Sequence, residues 1–432
     1  MKQVCASLLL IAALAACGEQ ELILEGERLD IEGLPESSDE TSRAEPIALP
    51  RAVANSTWTH VGGNPAHHLT HVALDTPLSR AFTVSIGEGN GRKHRITADP
   101  VVANGRVYAL DSRATVSAFT TSGAPVWSRD LTPASDDEDD ASGGGLAISG
   151  NTLYVTTGFG ELTALDAATG APRWTQDLAS AATGAPTVSD GAVYLVTRNG
   201  IGWAIDAGNG RILWQTLGAT SPSGVAGGAA PAVAGSQVIF PLSSGQMIAA
   251  TAGNGGRTWG QSVAGERLGR AFSRFSDISA DPVVANGVVY AGNHSGRAAA
   301  FNAATGERVW RANEGALSPI WVAGGSAFMV SDENRLLRLD ATTGETIWAQ
   351  NLPFFTRDRI RRRETTFAHF GPVLANGRLV VASDDGQVRQ FDPASGNLVG
   401  SFELPDGAAS NPVIAGGTLY IVTENGQLHA FR

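Results

Sequence analysis

The chain has 432 residues, 43% of them hydrophobic, with 31 Lys and Arg against 42 Asp and Glu for a formal charge of −11. A chain this acidic has little with which to displace counterions from phosphates, so no nucleic acid is expected as a partner. Its two cysteines give no disulfide framework, and no segment approaches the ~20 apolar residues of a membrane-spanning helix.

In chain order, MKQVCASLLLIAALAAC places Lys2 before an apolar run from Leu8 to Leu14, then small residues before Cys17. That is the pattern of a secretory signal. Leu14 to Cys17, LAAC, resembles the lipobox of bacterial lipoproteins. The resemblance implies cleavage before Cys17, with acyl chains on its thiol and new amine. Cys5 would leave with the signal, residues 1–16. Several acyl chains on one residue exceed the two-signal threshold for stable anchoring. Residues 17–56 read as a lipidated acidic tether: Gly18 to Ser56 holds ten Asp and Glu against three Arg, with Pro35, Pro46 and Pro50. The propeller described next occupies residues 57–432.

It begins with THVGGNPAHHLTH, which holds His60, His67, His68 and His71. Histidines at this density could ligate Zn²⁺, but carboxylate or cysteine partners at regular spacing are missing. Loop and inter-repeat contacts are expected instead, and no metal site is assigned. From here a unit recurs: LDAATGAPRW at Leu165 to Trp174, then IDAGNGRILW, FNAATGERVW and LDATTGETIW. The Gly–x–x–x–Trp pairs are Gly123/Trp127, Gly170/Trp174, Gly210/Trp214, Gly255/Trp259, Gly306/Trp310 and Gly344/Trp348. A seventh unit keeps Gly396 but has Gly400 in place of Trp, and the mean period is near 45 residues. Each period holds short β-branched runs separated by Asn-Gly, Asp-Gly or Gly-Gly, the signature of antiparallel hairpins. Four strands per repeat of this length define a propeller blade, with one tryptophan per blade packing against its neighbour.

The ends set the blade count. NPVIAGGTLYIVTENGQLHAFR supplies three strands and stops at Arg432, while RAFTVSI, Arg80 to Ile86, precedes the first unit without a blade of its own. Pairing the two closes the ring and removes free edges. The expectation is all-β, an eight-bladed β-propeller of four-stranded antiparallel blades, with seven blades as the alternative.

The repeat resembles the PQQ-type repeat named for pyrroloquinoline-quinone dehydrogenases. Lipobox, tether, eight such blades and a last blade completed from the first strand together resemble the BamB family of outer-membrane assembly lipoproteins. That resemblance implies a non-enzymatic scaffold without cofactor, on the periplasmic face of the outer membrane. Its partners would be the POTRA domains of a BamA-like barrel subunit, other lipoproteins of that complex, nascent outer-membrane proteins, and outer-membrane lipid through the acyl anchor. Gly18 in place of Asp after the cysteine implies the outer membrane by likeness to enterobacterial sorting. A quinoprotein alcohol or sugar dehydrogenase is the rival reading, and a generic periplasmic adaptor is another. Against the dehydrogenase, no vicinal cysteine pair can form and no acidic cluster has Ca²⁺-loop spacing.

Three loops break the repeat, where function is expected: the acidic insert Pro133 to Gly145, the segment AGERLGRAFSRFSDISADPVV, and PFFTRDRIRRRETTFAHFGPV with Arg357, Arg359, Arg361, Arg362 and Arg363. The family resemblance places partner contact on RFSDISADPVV, with Arg274 and Asp277 facing outward at one rim. One blade earlier, Val225 is the residue comparable to the family's neighbouring contact loop. The Arg-rich loop suits an acidic protein surface or lipid head groups.

Overall fold

The turns of each repeat are chemically prescribed. In the second, Asp166 Oδ1 accepts from the amides of Ala168 and Thr169, both at 3.0 Å, and Gly170 takes φ +71°. This is an Asx turn closed by the residue that tolerates a left-handed backbone. It recurs at Asp206, Asn302, Asp340 and Asp392.

A computed structural model describes residues 42–221, 227–265, 267, 275–357 and 359–432. Among the described residues the strands form eight four-stranded antiparallel sheets, each a meander in space. Blades 1 to 7 span Val101–Asp130, Gly144–Asp177, Thr187–Leu217, Ala232–Ser262, Ile278–Ala312, Trp321–Asn351 and His369–Glu403. Blade 8 joins Val413–Phe431 to Arg80–Ser85, which pairs antiparallel with Gln427–Phe431 in the register Phe82↔Ala430, Val84↔Leu428. The eight-blade expectation and its closing strand are therefore both observed. Helical structure among the described residues is limited to single turns, including Val61–Gly63 and Ile360–Arg362.

The repeating tryptophan joins blade to blade. The indole Nε1 of Trp127, Trp174, Trp214, Trp259, Trp310 and Trp348 donates to a carbonyl in the outer hairpin turn of the following blade at 2.9–3.2 Å. The glycine closing that turn lies flat against the indole: a Cβ on Gly170, Gly210, Gly255, Gly306, Gly344 or Gly396 would sit 2.5–2.8 Å from the preceding blade's ring. A tyrosine in the same blade often adds to the contact. Tyr108, 5.9 Å from the Trp127 ring, donates its hydroxyl to the same Ala167 carbonyl at 3.0 Å. The sheet faces between blades are filled by hydrophobic clusters, such as Leu162 and Ala164 of blade 2 against Val193 and Leu195 of blade 3.

The ring's one irregularity follows from its closure. The third and fourth strands of blade 8 come from opposite ends of the propeller sequence, so no Asx turn connects them. A tryptophan on the outer strand of blade 7 would have no turn to meet, and Gly400 stands there. Phe402 and Phe431, with ring centroids 4.9 Å apart, fill the seam. On the other side Phe82 takes the tryptophan's place against Gly123, whose Cβ would approach it to 2.7 Å.

The histidine-bearing segment closes one end of the axial channel. The first strand of each blade faces the axis with an unpaired backbone edge, and Trp58 to Asp75 hydrogen-bonds to all eight blades in order, to the first strand in seven and to the turn after it in blade 8. Trp58 exchanges amide and carbonyl with Val102 at 2.8 Å; Thr59 accepts from Ile148, His60 Nε2 from Val188, Pro65 from Val233 and Ala66 from Val284. His68 Nε2 bonds the Val322 carbonyl, Val72 donates to Leu374 and Asp75 to Gly417. His60 and His67 are buried, and desolvation holds them neutral, lowered to about 3 and about 4 respectively. The expectation of loop and inter-blade contacts for these histidines agrees with the geometry. The segment reaches blades 6 and 7 first through residues assigned from sequence to the tether: Arg43 donates to the Ile347 carbonyl at 3.1 Å and Glu45 to that of Ala394 at 3.2 Å.

Two glycines test the tryptophan contact. Gly344 and Gly325 have φ of +76° and +75°, but only Gly344 lies against an indole, that of Trp310. Gly325→Ala should carry only the left-handed-backbone cost of about 1–2 kcal/mol. Gly344→Ala should cost a further ~1–3 kcal/mol through overpacking. Urea denaturation of both variants measures the difference; equal losses would refute the assigned role of the contact.

Candidate functional site: the loop face and its axial chamber

The connections between blades lie on the face opposite the cap. At its centre is a cavity of about 200 Å³, floored by Val61 of the cap and lined by the residues that lead into the first strands. Proline opens most of these strands, and the pre-proline residues ring the axis: Asp99, Ala185, Ala230, Asp281, Ser318, Gly371 and Asn411. The two acids belong to blades 1 and 5, four steps apart in a ring of eight, and so stand on opposite sides.

Asp99 accepts from the Asn411 amide at 2.8 Å and from its Nδ2 at 3.0 Å; Asp281 accepts from the Ala230 amide at 2.7 Å. Burial pushes Asp99 up to about 6, against the Asn411 hydrogen bonds. It pushes Asp281 up to about 7, with the Asp99 charge adding to the shift. Raised carboxylates in a chamber are candidates for proton transfer. Among the described residues, no three His, Cys, Asp or Glu side chains gather in a metal-binding group. Sequence reasoning missed this pair, although the repeated ADPVV at Ala98 and Ala280 marks both positions.

Of the residues named from sequence, Cys17, Val225 and Arg274 lie outside the described residues. Asp277 is described, and it does not face outward: it is 4% exposed. The first strand of blade 5 runs eight residues from Ile278, against three in blade 1, so Asp277 already belongs to the packed wall. Beside it, Ser276 Oγ donates to the Ser243 carbonyl of blade 4 at 3.2 Å.

The loop before blade 5 is pinned to blade 6 by a residue that sequence placed only among its arginines. Arg267 donates Nε and Nη2 to Asp332 at 2.6 and 2.9 Å, and Nη2 also to Glu314 at 3.1 Å. Burial opposes its charge, but Asp332 and Glu314 outweigh burial and hold the guanidinium protonated. The fork also explains Gly296, whose Cβ would meet the Arg267 Cγ at 2.7 Å. The acidic insert is exposed at Ser135 to Asp140 and tied back by two acids: Asp139 meets His94 at 3.0 Å and Arg113 at 3.2 Å, and Glu138 pairs with Arg113.

A family model described as outer membrane protein assembly factor BamB matches residues 112–350 and 359–432. The chain is 29% identical to the outer membrane protein assembly factor BamB of Yersinia pestis, over 74% of this chain and 80% of that one. It is 28% identical to the Escherichia coli protein of the same name, over 75% and 80%. Among solved structures, BamB from Moraxella catarrhalis superposes with a TM-score of 0.68 at 20% identity, covering 82% of this chain and 99% of that one. The quinohemoprotein alcohol dehydrogenase from Comamonas testosteroni superposes with 0.66 at 16% identity, covering 88% and 81%, which shows a shared fold. With the repeat register, the ring of eight blades and a family match over most of its length, the chain belongs to the BamB family of outer membrane protein assembly factors.

Proposed function

We propose that the protein is a non-enzymatic scaffold of outer-membrane β-barrel assembly, lipid-anchored through Cys17 and facing the periplasm. The carrying observation is the family match itself, whose relatives are named outer membrane protein assembly factors. The scaffold binds the POTRA region of a BamA-like subunit, alongside the other lipoproteins of that complex, and supports insertion of nascent barrels. The loop before blade 5 is the contact we favour. Its base is made rigid by the Arg267 fork to blade 6, which suits a segment presenting Arg274 to a partner. Preorganisation of this kind lowers the ordering cost of binding. On the preceding loop, Val225 is the corresponding contact.

Two tests follow. Cys17→Ser should release the protein from the membrane fraction or leave the precursor uncut; unchanged processing and membrane association would refute the anchor. Arg274→Glu should strongly reduce recovery of a BamA-like subunit in mild-detergent affinity purification, since losing one member of a buried, hydrogen-bonded charge pair at an interface costs about 2–5 kcal/mol. Asp277, being buried, is a poor site for charge reversal. Wild-type recovery with the folded Arg274→Glu protein would move the contact elsewhere, and recovery of unrelated clients only would favour a generic adaptor.

One observation favours the dehydrogenase reading: the buried Asp99 and Asp281 in an axial chamber, on a fold shared with quinohemoprotein enzymes. In a scaffold these carboxylates only cost stability. A group raised from 3.8 to about 7 keeps its proton in the folded state, so stability falls as pH rises from about 4 to about 7 and is then level. Asp281→Asn should therefore stabilise the fold above pH ~7, by at most about 4 kcal/mol at 1.4 kcal/mol per unit, with the gain vanishing near pH ~4. Barrel assembly should be unchanged. Denaturation at both pH values and dye-linked oxidation assays decide the matter: quinone-dependent turnover abolished by Asp281→Asn would reverse the assignment.

A further inference from the structure

The Arg-rich loop between blades 6 and 7 spans a gap between the two stretches matched to the family model, at 351–358, with Arg359, Arg361, Arg362 and Arg363 at the start of the second stretch. Phe354, Phe355 and Arg357 fall in that gap. The loop is a built projection. Phe355 bridges Thr366 as in an antiparallel pair, Thr356 donates to the Thr365 carbonyl at 3.1 Å, and Phe367 to that of Phe354 at 2.8 Å. At its base Asn334 Nδ2 donates to the carbonyls of Pro353 and Phe367 at 3.1 and 2.8 Å. The tip holds the single helical turn Ile360–Arg362.

Four of the projection's guanidinium groups stand at its surface. Arg357, Arg359, Arg361 and Arg362 are exposed, and among the described residues none of them meets a carboxylate within ion-pair distance. Arg363 lies 4.8 Å over the Phe355 ring, and Phe355 packs on Phe354 at 4.6 Å. Guanidinium groups around an aromatic base, on a chain of net charge −11, call for a dense array of phosphates or carboxylates.

The lipid-anchored reading favours phosphates. The described chain begins against the same two blades, at their outer-turn ends and opposite the loop, with Arg43 on Ile347 of blade 6 and Glu45 on Ala394 of blade 7. The 26 residues from Cys17 to Ser42 span at most about 80–90 Å when extended. A tether of that reach leaves the blade 6–7 sector in range of the bilayer that holds its lipid. We infer that this loop docks the propeller edge-on to an anionic phospholipid surface. The acidic insert between blades 1 and 2, with Asp136 and Asp137 exposed on the same face, is repelled by that surface. The propeller therefore tilts on its blade 6–7 edge and does not lie flat. The loop before blade 5 stays clear for protein.

The inference rests on the lipid-anchored reading for which surface is met, so the test removes the lipid. The mature chain carrying Cys17→Ser is sedimented with vesicles of mixed phosphatidylglycerol and phosphatidylcholine, and with phosphatidylcholine alone. The expected result is binding to the anionic vesicles at low salt, loss at high salt, and none to neutral vesicles. Arg359→Gln, Arg361→Gln and Arg362→Gln combined should weaken binding roughly 100-fold, at ~1 kcal/mol per arginine near a charged surface. The corresponding triple Lys variant should retain most of it, separating charge from a folding defect. Equal binding to both vesicle types, or by the Gln variant, overturns the inference. So does a Gln variant that binds vesicles normally but loses a BamA-like subunit on purification, which would make the loop a protein contact. A failed Cys17→Ser release test leaves these outcomes intact.

Discussion

The propeller depends on an indole lying flat on a glycine. Each tryptophan does three things at once: it fills the space between blades, it donates a hydrogen bond to the next blade's turn, and it forbids a side chain at that turn's closing position. A four-stranded sheet of this size cannot bury both faces alone. The contact makes each blade's outer strand the docking site for its neighbour. The motif that looks like a turn in the sequence is thus half turn and half interface. Its glycine is needed twice, once for a left-handed backbone and once for the approach of the ring.

The same logic accounts for the exceptions. Gly400 stands where a tryptophan is expected because blade 8 is made from two ends of the sequence and offers no turn. Phe82 stands where blade 8 needs an aromatic but its partner turn, at Gly123, has different spacing from the rest. These departures follow from ring closure and need no functional explanation. The departures on the loop face are different in kind, since nothing in the blade-to-blade packing demands an acidic insert after blade 1 or five arginines after blade 6. Function is sought there, on a rim whose charge changes sign from one sector to another.

Legibility in the sequence divides along physical lines. The blade count, the borrowed strand from Arg80 and the tryptophan's role were readable because they repeat, and repetition averages out local ambiguity. The cap was half readable: the histidines stood out, but their partners lie on four different blades, up to hundreds of residues away. Asp99 and Asp281 were hidden among prolines and valines that read as ordinary strand starts, although their shared ADPVV was in plain view. Asp277 was misjudged because the blade 5 strand begins four residues before its proline, earlier than the repeat implies. Arg267 looked like one more loop arginine; its partners Glu314 and Asp332 belong to later blades, and no local pattern announces them.

Closure of the ring by distant segments has a consequence for how the protein comes into being. Thr83 bonds His429 across 346 residues, and the cap that precedes Thr83 needs every blade in place before its hydrogen bonds can form. The first propeller residues to be synthesised are thus the last to find all their partners. Folding pays the entropy of one very long loop before the seam rewards it. Until then, the inner edges of the finished blades and the unpaired strand Arg80–Ser85 stay open to other extended chains. Assembly of the ring is a single late event governed by the arrival of its final three strands.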